Sequence, residues 1–156
     1  KEFDLQLIVQ TCKKNYDRVI EQLIRDYPQY ESDKNIIVKP YFEDMVTALK
    51  ASDIAISRSG SLSISEICAS GIAPIFVPYP HAAADHQRKN AKYIVEKNAG
   101  LYFEDKDANE KSYYETVESL MHDKSRLEEL QKNSLALAKF DGTEKIVEQL
   151  KEITNG

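Results

Sequence analysis

Short β-rich runs alternate with segments of helical period through the first two thirds of the chain, and this alternation restricts the fold more than any other feature. Residues 5–11 (LQLIVQT) read as a strand. Residues 16–24 follow with apolar side chains at 16, 19, 20, 23 and 24, a helical period that ends before Pro28. The pattern then repeats, with strands at 35–39, 53–57, 75–77 and 100–103, and helices at 43–51, 63–69 and 87–97 between them. Gly71 closes the helix at 63–69. Strands separated by helices are joined by crossovers rather than hairpins, so they run parallel in a sheet covered on both faces. The expectation is an α/β fold built on a Rossmann-like parallel sheet, with five strands in this chain.

Beyond residue 104 the strands stop, and residues 111–121, 125–139 and 143–153 read as three amphipathic helices. The expected layout is a Rossmann-like core over 1–104 followed by C-terminal helices of the same domain over 105–156. The chain enters its first apolar run at Leu5 with no preceding helix or starter methionine, as an excised domain would.

A sheet buried on two faces needs apolar material, and 42% hydrophobic residues among 156, with 30% charged, provide it and exclude a disordered chain. The net charge of −5 comes without a basic block, which leaves nucleic acid or an anionic membrane surface little to bind. Cys12 and Cys68 are far apart and suggest neither a disulfide framework nor a metal pair, so a reducing, cytoplasmic setting is expected. No apolar run approaches the roughly 20 residues of a membrane span, and no signal peptide is visible.

In open parallel sheets ligands bind at the carboxyl ends of the strands, so the turns after Thr11, Lys39, Ser57 and Val77 are where function is sought. Ser57-Arg58-Ser59-Gly60-Ser61-Leu62-Ser63-Ile64-Ser65-Glu66 runs from a strand through a small-residue turn into a helix. The amides of Gly60, Ser61, Leu62 and Ser63 can converge there on an anion at a helix N-terminus. The same residues admit a purely local reading, in which Ser63 and Glu66 form an S-x-x-E capping box. Pro78 to Asn90 holds Asp85, His86, Gln87 and Asn90, polar groups suited to sugar hydroxyls around the first turn of a helix. Here too a local reading exists, with Asp85 as a helix N-cap. A metal site is disfavoured because His81 and His86 are five residues apart across a loop with no third ligand. Pro40-Tyr41-Phe42-Glu43-Asp44-Met45 places two aromatics and a Met after a strand, fit either to stack on a flat base or to fill a core. No Walker-type loop, nucleophile elbow or G-x-G-x-x-G fingerprint is present, so kinase, serine-hydrolase and dinucleotide readings have no anchor.

With Gln10-Thr11, the Gly71-Ile72-Ala73-Pro74-Ile75-Phe76-Val77-Pro78 run, Asn90-Ala91 and Asn98-Ala99-Gly100, these segments span about residues 5–103 in an order and spacing that resembles the carboxyl-terminal domain of the MurG family. The C-terminal helices match it only in general character. The family comprises the transferases that add N-acetylglucosamine to lipid I to form lipid II in peptidoglycan synthesis. The resemblance implies a GT-B glycosyltransferase, in which two Rossmann-like domains face each other and the second holds UDP-N-acetylglucosamine. Neither cofactor nor metal is implied. Carried over by position, the backbone of Phe42 would address the uracil with Met45 packed near it. Ser59 and Gly60 would shape the diphosphate turn, with the amides of Ser61, Leu62 and Ser63 meeting the diphosphate. Glu66 would accept hydrogen bonds from the ribose diol rather than close a cap. His86 and Gln87 would meet the sugar hydroxyls, supported by Asn90. The family's HQTG-like segment reads Val9-Gln10-Thr11-Cys12, with Cys12 in place of glycine. The family's first strand and glycine-rich turn would lie upstream of Lys1, as would the domain that binds the lipid-linked acceptor and carries the catalytic groups. This chain alone is therefore expected to be inactive, and the full-length enzyme to sit on the inner face of the cell membrane. Two other functions share the pattern: a UDP-N-acetylglucosamine 2-epimerase-like isomerase domain, although its usual Gly-Gly-x-x-Glu-Glu turn is absent, and a stand-alone nucleotide-sugar-binding subunit of a split transferase.

Overall fold

The computed structural model describes residues 5–155. It contains five strands, β1 (Leu7–Gln10), β2 (Ile36–Lys39), β3 (Ile54–Ser57), β4 (Ala73–Phe76) and β5 (Leu101–Tyr102). Its α-helices are α1 (Tyr16–Asp26), α2 (Met45–Lys50), α3 (Ser61–Ala69), α4 (His86–Glu96), α5 (Glu110–His122), α6 (Lys124–Ala136) and α7 (Gly142–Asn155). Every strand pairing is parallel, as the alternation requires. The ladders divide the strands into two sheets, β1-β2 and β3-β4-β5, where the sequence suggested one. Alternation fixes the direction of the strands, whereas adjacency is decided by which backbone edges meet. The chain forms two compact units, divided between Ala48 and Leu49.

In the first unit β1 pairs with β2 from Leu7–Ile36 to Gln10–Lys39, and the Tyr27 hydroxyl donates to Asp33 at 2.8 Å. Cys12 adopts φ 65°, ψ 154°, a region essentially confined to glycine and costing on the order of 1–3 kcal/mol for a residue with a side chain. Cys12 thus holds a backbone conformation suited to glycine without being glycine. Asp44 caps α2, accepting from Thr47 N at 2.9 Å and from its hydroxyl at 2.6 Å.

In the second unit β4 is the central strand and is buried along its whole length. Its side chains alternate between two cores. Phe76 joins Ile67 and Cys68 of α3 and Ala91 and Ile94 of α4, while Ala73 and Ile75 pack on Leu120 of α5 and Leu130 of α6. Two of the three C-terminal helices therefore cover one face of this sheet. The expected strand began at residue 75, whereas β4 starts at Ala73 and includes Pro74, a residue usually kept out of central strands. The ladder shows how it is accommodated. Ala73 N donates to Asp53 O, just before β3, and Val77 N to Ser57 O at its end, so the nitrogen of Pro74 points to the opposite edge, where β5 begins only at Leu101. Gly100 lies against that proline: a Cβ there would come within 2.6 Å of Pro74 Cγ, so only glycine fits. Among the described residues no helix is long and apolar enough to cross a membrane.

Candidate functional site

The turn after β3 is made by backbone. Gly60 holds an extended conformation, φ −67°, ψ 148°, and α3 starts at the next residue, with Ile64 N donating to Gly60 O at 3.0 Å as its first helical bond. The amides of Ser61, Leu62 and Ser63 precede that bond and have no intrahelical acceptor, so they form the open, positive end of the helix dipole. This overturns the capping-box reading. Ser63 already lies inside the helix, no side chain caps it, and the cap position belongs to Gly60. Glu66 is accordingly not drawn back to the helix start. It is exposed, and its carboxylate has no hydrogen-bond or ion-pair partner among the described residues. Leu62 is 71% exposed and contributes nothing to the core. On the inner face of α3, burial pushes the Cys68 thiol above its ordinary value.

The turn after β4 is made by side chains. Ala84 (φ 48°, ψ 23°) and Asp85 (φ 56°, ψ 29°) are consecutive left-handed residues leading into α4. Asp85 occupies the N-cap position, but its side chain makes no cap bond and instead pairs with Arg88 Nη1 at 3.2 Å. His86 Nδ1 lies 2.6 Å from Ala83 O. A carbonyl only accepts, so Nδ1 carries the proton, and in the neutral ring Nε2 is the acceptor. Gln87 accepts from Tyr79 N at 2.9 Å through Oε1, which leaves its NH2 group as a donor.

One buried residue brings the two turns together. Ser59 is 0% exposed; its hydroxyl donates to Gln87 O at 2.8 Å and its carbonyl accepts from Asn90 Nδ2 at 3.1 Å. Ser59 thereby ties the start of the 59–63 turn to Gln87 and Asn90 at the carboxyl ends of β3 and β4.

Sequence reasoning missed two arginines at this end of the sheet. Arg58 Nη1 donates to Val77 O and Pro78 O, each at 3.1 Å, and pairs with Asp105, its guanidinium 5.7 Å from the Tyr79 ring centroid. Arg88 pairs with Glu104 as well as Asp85. The spacing of Asp85 and Arg88 was a legible signal; Glu104 and Asp105 are too distant in sequence to have given one. The Arg58–Asp105 pair borders an open cleft of about 430 Å³ that also meets Ser57 and Tyr113.

Phe42 and Met45 belong to the first unit, both half-buried. The Phe42 amide donates to Gln10 Oε1 at 2.9 Å, and Lys39 Nζ lies 5.3 Å from the centre of its ring. The backbone group that Phe42 still offers is therefore its carbonyl, a restriction the sequence did not reveal.

The UDP-N-acetylglucosamine–N-acetylmuramyl-(pentapeptide) pyrophosphoryl-undecaprenol N-acetylglucosamine transferase of Caldanaerobacter subterraneus subsp. tengcongensis is 31% identical over 154 residues, 99% of this chain and 42% of that protein. The protein of the same name from Trichlorobacter lovleyi is 38% identical over 115 residues, 74% of this chain and 30% of its own length. The chain thus spans about two fifths or less of the length of these curated relatives. The crystal structure of Acinetobacter baumannii MurG superposes with a TM-score of 0.78 at 24% identity, over 97% of this chain and 43% of that one, which shows the fold of the C-terminal half of a GT-B glycosyltransferase. Residues 1–150 match the model of the glycosyltransferase family 28 C-terminal domain, and the chain belongs to that family.

Proposed function

We propose that this chain is the UDP-N-acetylglucosamine-binding domain of a hexosyltransferase that adds N-acetylglucosamine to lipid I. The relatives' names support the reaction class and family membership supports the donor-binding role. The observation that carries the reading is the pairing of an open helix N-terminus at Ser61–Ser63 with an exposed, unpartnered carboxylate at Glu66 on the same helix.

In this reading the amides of residues 61–63 receive the diphosphate. Glu66, three to five residues on and roughly 4.5–7.5 Å further along the helix axis, accepts hydrogen bonds from both hydroxyls of the ribose. His86 Nε2 accepts from a sugar hydroxyl and the Gln87 amide group donates to another, with Asn90 holding the turn through Ser59. For the first unit we propose base contact at Phe42 through its carbonyl, since its N–H is engaged by Gln10, with Met45 as an apolar neighbour. The donor half contributes orientation of the sugar and electrostatic stabilisation of the departing UDP. The acceptor lipid and the catalytic groups are assigned to the part of the enzyme that the relatives have beyond this alignment, working at the inner membrane face.

Calorimetric binding of UDP, UDP-N-acetylglucosamine and their 2′-deoxyribose analogues to the wild type and Glu66→Gln tests the proposal. A carboxylate that accepts two charge-assisted bonds predicts a loss of about tenfold or more in UDP affinity for the variant. The deoxy penalty should also be much smaller in the variant than in the wild type. Unchanged affinity, or a deoxy penalty of equal size in both proteins, removes Glu66 from the site.

A further inference from the structure

We propose that Arg88 is a positioning residue for the sugar moiety of the donor: it clamps the left-handed Ala84–Asp85 turn to the sheet and so sets where His86 and Gln87 point. The proposal rests on the donor-binding reading above and adds to it a residue that makes no ligand contact of its own.

Left-handed backbone is disfavoured for residues that carry a Cβ, and it normally occurs singly. Here two such residues follow one another immediately before the first turn of α4. The turn is held from outside. Arg88 Nη1 reaches the Asp85 carboxylate at 3.2 Å, while its Nε and Nη2 reach Glu104 Oε2 at 3.1 and 3.0 Å. Glu104 directly follows Phe103, whose amide donates to Phe76 O at the end of β4 at 2.9 Å. One guanidinium therefore ties the turn to a segment fixed on the central strand. A lysine could satisfy only one of these carboxylates as a point charge, whereas the planar fork of arginine spans both. The three side chains are 36%, 43% and 29% exposed. Ion pairs in that range contribute little to global stability, so the consequence of this clamp falls on geometry.

The test compares UDP with UDP-N-acetylglucosamine, whose affinity ratio isolates the sugar, on the wild type, Arg88→Ala, Arg88→Lys, Asp85→Asn and the Arg88→Ala/Asp85→Asn double variant. Asparagine tolerates left-handed backbone, so Asp85→Asn removes the charge without penalising the turn. Expected are UDP affinities within about twofold of wild type throughout, and a preference for UDP-N-acetylglucosamine over UDP reduced about fivefold to tenfold in Arg88→Ala and Asp85→Asn. The double variant should be no worse than Arg88→Ala, and Arg88→Lys should recover little. If UDP and UDP-N-acetylglucosamine weaken equally, or the preference is unchanged in both single variants, the positioning role is overturned while the donor site stands. If wild type binds the two ligands equally, there is no sugar recognition for Arg88 to set and the proposal likewise fails. Absence of UDP binding to the wild type overturns the donor-domain reading itself. Should Arg88→Ala fail to fold, Asp85→Asn decides.

Discussion

The turns after β3 and β4 stand over neighbouring strands of one sheet, yet they are built by opposite means. The first is nearly all backbone: an extended Gly60 delivers the chain into α3 with three amides open and no side-chain cap. The second runs through two left-handed residues and is held by side chains, Arg88 on Asp85 and Glu104, Gln87 on Tyr79 N, and Asn90 on Ser59 O. Backbone donors do not depend on which side chains surround them, so the first turn tolerates substitution as long as the helix begins at the same residue. The second loses its shape when any of a few anchors is removed. A fixed charge such as a diphosphate suits the first kind of site, and a variable pattern of hydroxyls suits the second.

The largest expected effect comes from deleting one backbone donor. Proline is well accommodated at the first helical position, and Gly60 already has the extended backbone that a following proline requires, so Ser61→Pro removes an N–H with little disturbance of α3. Loss of one charge-assisted hydrogen bond, about 1.5–3 kcal/mol, predicts roughly 10- to 100-fold weaker UDP binding, while Ser61→Ala stays near wild type. Equal effects of the two substitutions would show that the first turn works through its side chains and would erase the contrast.

A smaller effect is expected at the joint between the turns. Ser59→Ala and Asn90→Ala each leave a buried or half-buried polar group without its partner, at about 1–2 kcal/mol of unfolding free energy apiece. Because both bonds meet at Ser59, the double variant should lose less than the sum. Additive losses in denaturant titrations would mean that the two turns are independent.

Smallest is the strain in the second turn alone. Ala84→Gly removes the Cβ penalty at φ 48° but adds unfolded-state entropy, for a net gain of about 0.5 kcal/mol seen as a slightly raised Tm. A loss of stability there would indicate that the left-handed pair is not strained and that the Arg88 clamp restrains nothing.

How far these features were legible differs from residue to residue. Strand and helix positions followed from periodicity, because burial on one helix stripe or on two strand faces leaves a direct mark in the order of apolar residues. The exceptions were places where a local signal pointed away from the tertiary answer. The expected β4 left out Pro74, and a sequence does not reveal which edge a strand nitrogen faces or that β5 starts one residue too late to need that donor. Ser63 and Glu66 spelled a capping box, yet Gly60 supplied the extended residue and α3 began earlier.

The sequence by itself determined that parallel strands alternate with helices, that candidate ligand groups gather in the turns after residues 57 and 77, and, through the combination of its motifs, which family the chain belongs to. These are properties of near neighbours along the chain or of patterns with fixed spacing. Only the tertiary structure decided that the strands pair in two ladders, that the Phe42 amide is engaged by Gln10, and that Ser59 and Arg88 lock the second turn to partners between 16 and 31 residues away. The reason is physical. Hydrogen bonds and ion pairs between distant segments are selected by the packing that brings them within about 3 Å, and no local periodicity encodes that approach.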